Sequence, residues 1–143
     1  MNKLFSNCLK NKKIVVFNDA PKLIKKELKA AENDLERARE TFKNAKDFKC
    51  ATIQSYYSMF HTARCLLYKN GYREKSHICL IASMYSFYVN QKEIPKFIID
   101  NLLLAKELRE NADYENDFSK ESAEELIKSA DEFIKIAKTL LKN

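Results

Sequence analysis

The chain reads as all-α, an up-and-down antiparallel helical bundle of about five helices, and three observations lead there. Only one Gly and two Pro occur in 143 residues; these residues punctuate turn-rich β structure, so their scarcity favours long, unbroken helices. Apolar residues recur at threes and fours over five stretches, which is the helical period. Short connections join the stretches, and short links set consecutive helices side by side. A chain of this length is expected to build one core, with residues 1–19 a basic extension packed on a bundle formed by residues 20–143.

Residues 1 to 18 begin with a short amphipathic piece, Lys3 to Leu9, and continue into an extended Ile14-Val15-Val16-Phe17 that could lie across the body of the domain. Asp19-Ala20-Pro21 starts the first long helix, with Pro at the first turn, where its missing N–H costs nothing. Leu28, Ala31, Leu35, Ala38 and Phe42, separated by Lys, Glu and Arg, then describe an amphipathic surface helix to about Lys46. From Phe48 to about Asn70 the apolar residues cover most sides, Tyr56, Phe60 and Leu67 on one and Met59 and Leu66 on another, so this helix is expected at the centre. Gly71 ends it, since Gly takes the left-handed cap conformation without steric penalty. The next helix is expected from His77 to Val89 with Ser76 as N-cap, and a fourth from Ile94-Pro95 towards Asp113. After a polar connection, Glu115 to Ser119, the last helix carries Ala123, Leu126, Ala130, Phe133, Ala137 and Leu141; Ser122 and Glu125 have capping-box spacing.

The first thirty residues hold eight Lys against Asp19 and Glu27, which accounts for the whole net charge of +6. Such a segment can approach phosphate-rich partners, because Lys at phosphates releases counterions, or it can be a solvated face. No apolar run is long enough to span a bilayer or to act as a secretory signal, so a cytoplasmic protein without membrane contact is expected. Cys8, Cys50, Cys65 and Cys79 are widely spaced and only two His occur, so no metal site or cofactor is expected and the cysteines read as structural thiols. The high Lys and Glu content also suits a heat-adapted organism, where intracellular disulfides do occur.

Arg109-Glu110-Asn111-Ala112-Asp113-Tyr114 is the most informative run. Ala105, Leu102 and Ile98 precede Arg109 at helical spacing, so Arg109 and Asp113 prolong a core-facing stripe. A buried charge is costly unless paired. An i, i+4 ion pair is the simplest account, yet on an apolar face Arg109 should also meet hydroxyls or carboxylates from another helix or subunit. A second polar stripe, Tyr57, His61, Arg64 and Tyr68, runs along the central helix. Phenol, imidazole and guanidinium together could bind a phosphate and move a proton; alternatively the Tyr rings fill the core and Arg64 pairs with a carboxylate such as Asp113. In the link Tyr72 to His77, Arg73, Lys75 and His77 bring positive charge to a helix start whose free N–H groups could receive an anion. The alternative there is that Ser76 caps the helix and the cations stay solvated.

Three ordered blocks, Ile53 to Arg64, Gly71 to His77 and Leu108 to Tyr114, together resemble the HEPN domain (higher eukaryote and prokaryote nucleotide-binding) over roughly residues 20 to 142. The resemblance implies a helical bundle that often forms homodimers and is frequently encoded beside a minimal nucleotidyltransferase, as a toxin and antitoxin or a related defence pair. Many such proteins are metal-independent ribonucleases, with an Arg followed a few residues later by a His in a cleft between two subunits. Here the Arg falls on Arg109, and Tyr114 stands in the place of the His. A phenol with a pKa near 10 is a poorer general acid or base at neutral pH than imidazole. The expectation is therefore a homodimeric nucleotide- or RNA-associated binding module working with a minimal nucleotidyltransferase partner. The alternative is a metal-independent endoribonuclease toxin with Arg and Tyr in place of Arg and His. Arg109, Tyr114 and His77 are its catalytic candidates; Tyr57, His61, Arg64, Arg73, Lys75 and Asp113 are the candidates for holding nucleotide or phosphate.

Overall fold

The structure, a computed structural model, describes residues 2–111 and 118–142. Among them are six α-helices and one two-stranded sheet: α1 Asn2–Lys10, β1 Ile14–Val16, α2 Ile24–Glu40, α3 Phe48–Lys69, β2 Tyr72–Glu74, α4 His77–Met84, α5 Lys96–Glu110 and α6 Lys120–Leu141. A 3-10 turn at Ala20–Leu23 leads into α2, and single π-turns continue α2 over Thr41–Ala45 and α4 over Tyr85–Val89. The all-α class holds, and α2 to α6 lie where the apolar periodicity puts them.

Lys46, in the left-handed region at φ 51°, closes the π-turn after α2. Asp47 then caps α3, its carboxylate accepting from the Cys50 N–H at 2.9 Å. This brief link brings α3 back along α2, and α3 also packs on α4, α5 and α6. Tyr56, Met59, Ala63, Leu66 and Leu67 of α3 are buried among Leu80, Met84, Ile98, Leu102 and Phe133. Removing this much apolar surface from water is what holds the bundle, at about 1.5–3 kcal/mol for each large side chain fully buried. Small residues let α2 and α3 approach closely: the Ser58 hydroxyl donates to the carbonyl of fully buried Ala31 at 2.8 Å.

The amino-terminal segment is tied down in two ways that periodicity does not reveal. The extended residues Ile14–Val16 pair antiparallel with Tyr72–Glu74, in the register Ile14↔Glu74, Val15↔Arg73 and Val16↔Tyr72. Part of the expected polar link is thus a strand, reached through Gly71 at φ 82°. Cys8 and Cys79 form a disulfide that joins α1 to α4. That corrects the reading of all four cysteines as free thiols, because the two residues, 71 positions apart, meet only once α1 has packed. Cys50 and Cys65 remain free, and burial pushes the Cys65 thiol up to about 12, where it is inert.

Two caps also differ from expectation. The first turn of α6 is capped by Ser119, whose hydroxyl accepts from the Ser122 N–H at 3.0 Å, so Ser122 lies inside the helix. Ser76 has the extended backbone of an N-cap, but its side chain makes no capping bond. No helix among the described residues is long and apolar enough to cross a membrane.

Candidate functional site

Two helices build the Arg109 cluster. On α5, Ile98, Leu102 and Ala105 are fully buried, and one turn further the same face carries Arg109, whose side chain is 26 % exposed. On α3, Tyr56 and Tyr57 present their rings to it: the guanidinium carbon lies 5.0 Å from the Tyr56 ring centre and 5.5 Å from that of Tyr57. The Nη1 group donates to the Tyr57 hydroxyl at 2.7 Å. Aromatic faces attract a guanidinium, and the hydroxyl fixes its orientation. Arg109 Nε is buried with no hydrogen-bond partner among the described residues. Its neighbour Glu110 is engaged mainly by Lys106, at 2.8 Å, against 3.8 Å to Arg109 Nη2.

His77, the first residue of α4, joins this cluster through Tyr56. Its Nδ1 is 2.6 Å from the Tyr56 hydroxyl oxygen, and its ring lies 4.4 Å from that of Phe60. Burial, and then the positive charges of Arg109 and Lys106, hold the imidazole below its ordinary 6.5. Burial likewise raises the Tyr56 phenol well above its ordinary value, against the opposing charge of Arg109. At neutral pH the cluster therefore combines a neutral imidazole, a protonated phenol and a guanidinium. The contact has two tautomers: where the Tyr56 O–H donates to Nδ1 the imidazole proton sits on Nε2, and where Nδ1 donates to the phenol oxygen Nε2 offers the lone pair that a general base requires.

His61 and Arg64 face other neighbours. His61 Nδ1 lies 2.6 Å from Glu27 Oε2 and its Nε2 3.6 Å from Asp34 Oδ2. Arg64 reaches Glu27 at 3.4 Å and Glu74 at 3.2 Å. Burial alone would raise the Glu27 carboxyl; the His61 hydrogen bond and then the Arg64 charge bring it below its usual 4.5. The stripe of Tyr57, His61, Arg64 and Tyr68 thus divides about Phe60, whose ring is close to both histidines. One side meets α5 and the other meets the carboxylates of α2 and β2. The carboxylates paired with Arg64 are Glu27 and Glu74. Asp113 and Tyr114, and with them the i, i+4 pair to Arg109, lie outside the described residues.

Arg73 and Lys75 point to solvent on β2 and just after it. Arg73 lies over the Phe17 ring at 5.3 Å. The Lys75 N–H already donates to the Lys13 carbonyl at 2.8 Å, so it is not among the donors open to an anion. Sequence reasoning placed Tyr56 in the core and overlooked its hydroxyl. The available signal was its residue type: a fully buried Tyr, unlike Phe, needs a partner for its O–H. Among the described residues no group of three His, Cys, Asp or Glu is placed to hold a metal ion. A surface concavity lies elsewhere, between α2 and α6 beside Arg39, Phe42, Ile127 and Asp131, and there Arg39 and Asp131 pair at 3.1 Å.

Comparison with known proteins shows what the chain is similar to. The model of the HEPN domain family matches residues 24–140. A protein of Methanocaldococcus jannaschii named "Putative toxin MJ0605" is 31% identical over 116 residues, covering 80% of this chain and 86% of that relative.

Proposed function

Because the chain belongs to the HEPN domain family, we propose that it is a toxin-type protein that cleaves RNA without a metal, with the Arg109 cluster as its reacting centre. The observation that carries this reading is His77. Held by the Tyr56 hydroxyl at 2.6 Å and kept neutral by burial beside Arg109, it supplies the imidazole that the Arg109 to Tyr114 run lacks.

In this chemistry the tautomer with its proton on Nδ1 reacts, and His77 Nε2 takes the proton of a ribose 2′-hydroxyl. The 2′ oxygen attacks the adjacent phosphorus, the bond to the 5′ oxygen breaks, and that oxygen takes a proton from solvent. The products are a 2′,3′-cyclic phosphate and a 5′-hydroxyl end. Arg109 offsets the charge that builds on the phosphate oxygens, as a preorganised cation does best in a partly buried site. Tyr56 and Tyr57 act as positioning residues, one for each partner.

The test is cleavage of single-stranded RNA in excess chelator by wild type, Arg109→Ala, His77→Gln and Tyr114→Phe. Loss of about 10²–10⁴-fold in the first two variants, with cleavage retained in Tyr114→Phe, is the expected result. Equal residual cleavage in all four would mark a contaminating nuclease and remove the reading.

Tyr114 in place of the motif His favours a second reading: a non-catalytic nucleotide- or RNA-binding homodimer that works with a minimal nucleotidyltransferase. Phe97 and Leu104, seven positions apart on α5 and 50% and 43% exposed, offer an apolar strip that suits a second copy. Tight RNA or nucleotide binding by a dimer that leaves RNA uncut would select it; a monomer by light scattering would reject it.

A further inference from the structure

The β1–β2 pairing brings lysines from the far amino terminus next to the segment that carries His77. Ile14 and Glu74, opposite one another, are both buried. The next step of the ladder sets Lys13 against Lys75, joined by the 2.8 Å bond from the Lys75 N–H to the Lys13 carbonyl. Both side chains are exposed. Like charges directly opposite across a ladder destabilise it, and neither lysine has an ion-pair partner among the described residues. The nearby carboxylate, Glu74, is turned inward and engaged by Arg64 at 3.2 Å.

Lys12, beside them, holds a left-handed backbone at φ 57°, which Gly or Asn would adopt with less strain. Arg73 stands one step along the same outer face. Lys75 is two residues before His77. Four exposed cations thus lie along one stretch of the two-stranded ladder, where a carboxylate opposite Lys13 or a glycine at Lys12 would serve the fold better.

We propose that Lys12, Lys13, Arg73 and Lys75 form a phosphate-tracking platform that leads a single RNA strand to the Arg109 cluster. The mutual repulsion of the lysines is relieved when phosphates lie between them. The Cys8–Cys79 disulfide and the strand pairing hold the platform in place before RNA arrives, so little ordering is needed on binding. This inference rests on reading the Arg109 cluster as an RNA site.

The experiment measures binding of a fluorescein-labelled single-stranded RNA oligonucleotide against salt concentration, in excess EDTA, with cleavage assayed in parallel. Replacing Lys12, Lys13 and Lys75 by Ala is expected to flatten the slope of log K against log salt by about 2, at about 0.7 for each phosphate that is no longer neutralised. Arg109→Ala is expected to abolish cleavage and change the slope by no more than about 1. Lys75→Glu separates binding from folding: it makes the cross-strand pair with Lys13 attractive, so Tm holds or rises while RNA binding falls. If the triple variant keeps wild-type affinity and slope while Arg109→Ala stops cleavage, the platform is wrong and the reacting centre stands. Platform-dependent binding without cleavage by any form keeps the platform and removes the chemistry. A wild type that does not bind RNA overturns both.

Discussion

At the scale of single residues, Glu74 and Arg64 show how a polar stripe on α3 is used. Glu74 is 6 % exposed and Arg64 is the cation that reaches it, at 3.2 Å. A buried ion pair adds little net stability when intact, but losing one partner leaves an uncompensated charge. Arg64→Ala is therefore expected to cost about 2–3 kcal/mol in denaturant unfolding, and Arg64→Ala with Glu74→Gln to recover most of it. A single-variant cost within about 0.5 kcal/mol of zero, the range of ordinary surface changes, would mean that Glu74 is satisfied in some other way. The helical spacing of the stripe was legible in the sequence. Which member met Arg109 and which met a carboxylate was not, because a helical wheel gives the direction of a side chain and not the identity of the element opposite.

At the scale of elements, helix interiors were readable and helix starts less so. Periods of three and four mark α2, α3 and α6 because burial of one face is decided within a few turns of chain. A cap depends on the backbone angles of one residue, and two Ser residues three positions apart offer the same chemistry. Ser119 has the extended conformation and takes the role. Ser119→Ala is expected to lower stability by about 1 kcal/mol, measured by thermal or denaturant unfolding, whereas Ser122→Ala should change it far less; the reverse order would restore the capping box to Ser122 and Glu125. The extended run that forms β1 was legible, but β2 and the pairing of the two strands escaped for another reason. Each is three residues long, too short to show an alternating pattern, and their stability comes from the partner strand and from Ile14 and Glu74 beneath.

At the scale of the whole molecule, several titrating groups respond to acid in the same direction. His77 binds its proton at lower pH in the folded chain than at the ordinary 6.5 of the unfolded chain, so the unfolded state takes up the extra proton and stability falls as pH drops through that region. Glu27 and Asp131 have lowered carboxyl pKa values: burial opposes the shift, and the hydrogen bonds and charges of His61, Arg64, Lys135 and Arg39 outweigh it. Their contribution is present above the ordinary carboxylate range and is lost as pH falls through the lowered values. Thermal unfolding across pH 7 to 3, with the range taken from reference His and carboxylate pKa values at roughly these limits, is expected to show a falling Tm in two stages. His77→Gln should remove the upper stage and leave the lower one, and an unchanged upper stage would show that His77 is not its source.

The sequence by itself determined the helical class, the central place of α3, the core-facing position of Arg109 and the concentration of charge at the amino terminus. Each of these follows from composition or from spacing over a few residues, where local geometry decides the outcome. Only the tertiary structure decided that Cys8 meets Cys79, that Ile14 meets Glu74, that Tyr57 meets Arg109 and that His77 meets Tyr56. Those contacts close loops of tens of residues, and closing them is repaid by packing across the entire core rather than by any property of the two residues that touch.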